Sequence, residues 1–198
     1  MLRRAKGQSL VEGLIALPIF LLFCAALVQL VWLLLAQHLL NSATRYVALQ
    51  ESVKPGSSLE QQAVFLSRMK PLPGRGYVVP LISVLEPELA LVQNADLTET
   101  DAGQYLHDMD YVHIQLQERT DQQAEAWLKL AVVNVEVKWC FPLRVPWVSE
   151  VVNVVDWFAD QAHQAYCAGY GQMGTPHFPL RSVSKVPLKA TREWQPQL

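Results

Sequence analysis

The chain has 198 residues, 51% of them hydrophobic and 17% charged, where ordinary soluble domains carry roughly a quarter charged residues. So much apolar surface excludes a disordered chain, and a net charge of −2 gives no electrostatic footprint for nucleic acid. The length suits one domain, or one domain with an anchor, and the apolar excess gathers near the N-terminus.

Arg3, Arg4 and Lys6 form a basic leader, and an apolar run of 23 residues follows from Leu14 to Ala36, broken only by Pro18 and Gln29. About 20 apolar residues span a bilayer core as a helix, and the run lacks the polar stripe of a soluble core helix. A transmembrane helix is therefore expected over 8–36, after a leader of 1–7. No basic residue follows until Arg45, so the positive-inside rule places the N-terminus in the cytoplasm and the rest outside. The run is longer than a secretory h-region and no small-x-small cleavage site lies close behind it. Leu21-Leu22-Phe23-Cys24 lacks the small residue expected before a lipidated cysteine.

Glu12 lies at the edge of the run. A carboxylate in hydrocarbon is costly and defaults to a function with a partner. The plainer alternative is a headgroup-level Glu favoured by the helix dipole. Gly7 precedes Glu12 by five residues, directly after the basic leader and directly before the span. This arrangement resembles the class III signal of type IV prepilins. The stretch Gly7-Gln8-Ser9-Leu10-Val11-Glu12-Gly13-Leu14-Ile15-Ala16-Leu17-Pro18, with the later Ala36–Arg45, resembles the TadE-like family of minor pilins, or pseudopilins, of tight-adherence (Flp-type) pili. The resemblance implies cleavage by a prepilin peptidase between Gly7 and Gln8. It further implies pairing of Glu12 with the freed amine of a neighbouring subunit. Other pilins and minor pilins, a pilus assembly platform and the inner membrane would be the partners. It implies a non-enzymatic assembly protein with a periplasmic outer domain that can enter the filament. An unprocessed, membrane-anchored periplasmic binding module is the alternative.

Ala36, Leu39, Leu40, Ala43, Tyr46 and Val47 continue the helical spacing, so one helix is expected to leave the bilayer and turn amphipathic over 37–53. An external domain would occupy 54–198. Ser57 and Glu60 form a capping box opening a helix over 58–69, with Leu59, Ala63, Leu66 and Met69 on its apolar side. Tyr77–Leu85 reads as a strand, with Pro80 marking an edge or bulge. The segment 94–110 holds Asp96, Glu99, Asp101, Asp108 and Asp110 without a basic residue. No EF-hand spacing is present, so a solvated acidic loop is favoured over a calcium site. Alternation predicts strands over Tyr111–Gln117 and Val133–Trp139, with a helix over Thr120–Leu130 between them. Apolar residues at helical spacing from Val148 to Ala162 predict an amphipathic helix over 148–167 closed by Gly169. Phe178–Ala190 reads as the final strand. Short helices on an antiparallel sheet make an α+β domain, here carried on a long pilin-like N-terminal helix.

No nucleophile elbow, P-loop, dinucleotide fingerprint or zincin motif is present. The histidines are His38, His107, His113, His163 and His177. His163 and Cys167 are spaced one helical turn apart, too few ligands for a metal site, and Asp156 and Asp160 read as a solvated helix face. No enzyme activity, metal or cofactor is expected. Cys24 falls in the membrane. Cys140 and Cys167 fall outside it, where a disulfide is permitted and two free buried thiols are the alternative.

Overall fold

The computed structural model describes residues 8–72, 78–100, 102–144, 161–171 and 176–194. It is an α+β chain in which a long N-terminal helix is followed by short helices and antiparallel sheets. Its contacts divide it into two units, Met1–Ala36 with Phe141–Pro179 and Gln37–Cys140 with Leu180–Leu198.

Helix α1 runs from Gln8 to Val53, 46 residues with Pro18 inside it. At 1.5 Å per residue it is about 69 Å long, over twice what a bilayer core requires. It ends, as the sequence predicts, before Lys54-Pro55-Gly56. Helix α2 spans Ser58–Met69, and Ser57 and Glu60 make the reciprocal capping box. Its buried face shares only Met69 with the expected one. Gln61, Phe65 and Met69 point inward, whereas Leu59 is 75% exposed and Leu66 is exposed as well. Gln61 is tolerated inside because its Nε2 donates to the Glu51 carboxylate at 3.0 Å, which satisfies the buried amide.

Strands β1 (Leu81–Leu85), β4 (Val132–Pro142) and β5 (His177–Pro187) form one sheet in the order β1-β4-β5. β1 and β4 are antiparallel, with Ser83 opposite Glu136. Period-2 alternation sends Val133, Val135, Val137 and Trp139 into the core, as the sequence predicts. Asn134 and Lys138 are half-buried, and Glu136, although largely covered, pairs with Arg181. Trp139 Nε1 donates to the Val78 carbonyl at 3.2 Å.

A second, smaller sheet has the order β2-β3-β6, from β2 (Thr98–Glu99), β3 (Tyr105–His107) and β6 (Arg192–Trp194). Its last strand lies beyond the strand expected to be final. Helices α3 (Leu89–Asn94) and α5 (Asp121–Leu130) pack together in the same unit, with Val92, Ala95, Ala126, Trp127 and Leu130 as a buried cluster. Thr120 and Gln123 give α5 its own capping box. The segment predicted as a strand over Tyr111–Gln117 is instead helix α4, Val112–Gln117. Arg119 closes that helix by donating to the Gln115 carbonyl at 2.6 Å and to its side chain at 2.9 Å.

In the other unit, helix α6 spans Gln161–Gly171. It continues past Gly169, which does not close it as expected. The rest of the helix predicted from Val148 lies outside the described residues, as do Asp156 and Asp160.

Candidate functional site

The first half of α1 is an apolar surface. Leu14, Ile15, Leu17, Ile19, Phe20 and Phe23 are all well over half exposed. The helix holds an 18-residue window of mean hydropathy 2.7, 6% of it buried. Exposed apolar area on this scale favours removal from water, so lipid or other apolar helices fit it. Length and composition suit a single-pass anchor. Gln8 opens the helix and Glu12 stands one turn further on, exposed. Gly7 lies outside the described residues, so the Gly7–Gln8 peptide does too. A Cβ placed on Gly13 meets nothing within 4 Å among the described residues.

The second half of α1 is built into the sheet-bearing unit. Leu40, Ala43, Thr44, Val47, Ala48, Glu51 and Ser52 are buried along one stripe. Gln37 Nε2 donates to the Arg181 carbonyl at 3.0 Å, and the Lys189 amide donates to the Ser52 carbonyl at 2.9 Å. Arg68 on α2 lies 3.7 Å over the Tyr46 ring. Near the helix end, Glu51 Oε1 accepts from the Gly56 amide at 2.9 Å and from Gln61 at 3.0 Å. Its Oε2 lies 3.8 Å from Arg192. None of this network was singled out in the sequence. The one available signal is an acid at position 51, four residues after Val47 on the apolar stripe.

The expected polar sites resolve differently. Cys24 is a half-buried free thiol, while Cys140 and Cys167 are both buried and each is half of a disulfide. His163, also buried, lies one turn before Cys167 on α6. In the acidic segment, Asp108 Oδ1 accepts from the Asp110 amide at 2.9 Å and from the Thr191 hydroxyl at 3.1 Å. Among the described residues, that segment gathers no set of three carboxylates able to hold a metal, and Asp101 lies outside them. His38 and His113 are exposed and His177 is half-buried. His107 is fully buried, 4.4 Å from the Trp127 ring, and neither ring nitrogen has a hydrogen-bond partner among the described residues. Burial and the nearby Arg119 guanidinium push its pKa down to about 4, against a smaller upward pull from Asp108. Nothing in its sequence neighbourhood marked it.

The first half of α1 thus offers an apolar helix surface with a carboxylate near its start. Residues 7–49 match the TadE-like protein family. The matched TadE-like segment begins at Gly7, includes Gln8 and Glu12, and ends four residues before α1 does. It covers the apolar and the sheet-bound halves of the helix alike, and residues 50–198 lie beyond it. No curated protein and no solved structure matches the chain.

Proposed function

We propose that the chain is a non-enzymatic minor pilin, or pseudopilin, for assembly of tight-adherence pili. The observation that carries this is the TadE-like match over 7–49. In one stretch it unites the leader glycine, the acid five residues later and a helix of spanning length. In this reading residues 1–7 are a leader removed by a prepilin peptidase between Gly7 and Gln8. Residues 8–36 span the bacterial inner membrane, 37–53 extend the same helix, and 54–198 stand in the periplasm. The exposed apolar surface of α1 supports lateral association with other pilin helices, first in the membrane and then in the pilus. Glu12 pairs with the free amine of a neighbouring subunit, lowering the cost of both charges in lipid. A bridge between Cys140 and Cys167 suits an oxidising compartment. Partners are the peptidase, other pilins and minor pilins, and the assembly platform.

The test is deletion in the native host. Loss of surface pili and of adherence, both restored by the intact chain, supports the proposal. Undiminished pili in the deletion strain would contradict it and favour an anchored binding module that is never processed.

A further inference from the structure

The two outer strands of the β1-β4-β5 sheet are treated unequally. β5 carries Arg181 and Lys185 exposed along its length, with Pro179 within it and Pro187 at its end. Charges and prolines are the usual means of keeping an edge from pairing with another chain. β1 has neither. Its five residues, Leu81-Ile82-Ser83-Val84-Leu85, are uncharged, and Leu81 and Leu85 remain 44% and 39% exposed. Among the described residues only β4 pairs with it.

The β1 sequence also has the same character read from either end: Leu, β-branched, Ser, β-branched, Leu. An antiparallel partner of identical sequence, centred on Ser83, sets Leu81 beside Leu85 on the outer face, where Ser83 also points. On the opposite face it sets Ile82 beside Val84. Each apolar side chain then meets one of like size across the strand pair, the contact that stabilises sheets. A two-fold interface of this kind is self-complementary. We infer that β1 is a strand-pairing site for a second copy of this chain, joined antiparallel about Ser83. This joins two three-stranded sheets into one of six strands. Five residues a side make a small interface, of the weak or transient class. Confinement of both copies to one membrane raises their effective concentration. The inference does not rest on the pilus reading.

Site-directed cross-linking in the full chain tests it. The background is Cys24→Ala, which removes the free thiol, with protein in lipid vesicles and copper–phenanthroline as oxidant. Opposed residues in an antiparallel pair have Cα atoms about 4.5–5.5 Å apart, within the range a disulfide bridges. Ser83→Cys should therefore give a band at about twice the chain mass. Leu81→Cys alone should stay monomeric, because it lies opposite Leu85, whereas Leu81→Cys mixed with Leu85→Cys should cross-link. Adding Leu81→Lys and Leu85→Lys to Ser83→Cys should abolish the band. Ser67→Cys, on the exposed side of α2, reports random collision. Cross-linking at Ser83 no greater than at Ser67, or equal cross-linking at Leu81 alone, would overturn the inference.

Discussion

Glu51, in the last turn of α1, and Arg192, on the last strand, hold each other across 141 residues of chain. Arg192 Nη1 donates to the Glu51 backbone carbonyl at 3.1 Å, and its Nη2 stands 3.8 Å from the carboxylate. Their side chains are 2% and 7% exposed. A negative charge in the last turn of a helix opposes the helix dipole, and here a buried cation offsets it. Arg192 also stacks 4.6 Å from the Trp194 ring, which fixes the guanidinium.

Removing one partner of a buried pair strands the other charge at a cost of about 3–5 kcal/mol. Arg192→Leu should destabilise the sheet-bearing unit by that order, read as faster amide exchange at Gly56 and Lys189. Adding Glu51→Gln should recover part of the loss, because the amide oxygen still accepts from Gly56 while no charge is left buried. A single Arg192→Leu as stable as the parent would show that the pair carries no weight.

His107 makes the same unit acid-sensitive. Its folded pKa is lowered to about 4 from 6.5. Above pH 6.5 both folded and unfolded states hold it neutral, and no penalty exists. As pH falls from 6.5 towards 4 the unfolded state takes the proton first, so stability is lost across that window, by about 3 kcal/mol in all. His107→Leu should flatten the dependence on pH between those limits. An unchanged slope in the variant would locate the acid sensitivity elsewhere.

Much of this fold was legible from local chemistry. The end of α1, the Ser57 and Glu60 box, α5 and the alternation of β4 all follow from signals contained within a few residues. The failures came where distant partners decide. The apolar stripe Leu59, Ala63, Leu66 and Met69 predicts one face of α2, but only Met69 of these is buried, and Gln61 turns inward to the Glu51 carboxylate. Tyr111–Gln117 alternates like a strand, yet a window this short fits either period, and Arg119 caps it as a helix. β6 is too short to signal itself and exists by pairing with β3. The proposed processing site, Gly7, Gln8 and Glu12, can be raised from sequence alone because its members are close in the chain. The Glu51–Arg192 pair and His107 cannot, because their environments are assembled by folding.

Thiol chemistry gives a separate check. If Cys140 and Cys167 are bridged to each other, denatured and unreduced protein should label at Cys24 alone. The bridge closes a loop with 26 intervening residues, worth roughly 3 kcal/mol in the loop-entropy account. Cys167→Ser should lower stability by that order in oxidising medium and have little effect under reductant. Three labelled thiols in protein from an oxidising compartment would rule the bridge out.

Glu12 separates an assembly subunit from a simple anchor. Glu12→Gln removes a charge and so does not hinder entry into lipid. Membrane level and N-terminal processing should be unchanged while pilus assembly and adherence fall. Normal pili from Glu12→Gln would leave the carboxylate as a dispensable start to the helix.

The most direct measurement is the mass of the native N-terminal peptide, from cells with an active prepilin peptidase. The account predicts a chain beginning at Gln8, with 191 of the 198 residues left, and retention of the leader when Gly7 is replaced by a bulky residue. A terminus intact at Met1 or Leu2 in those cells would contradict it.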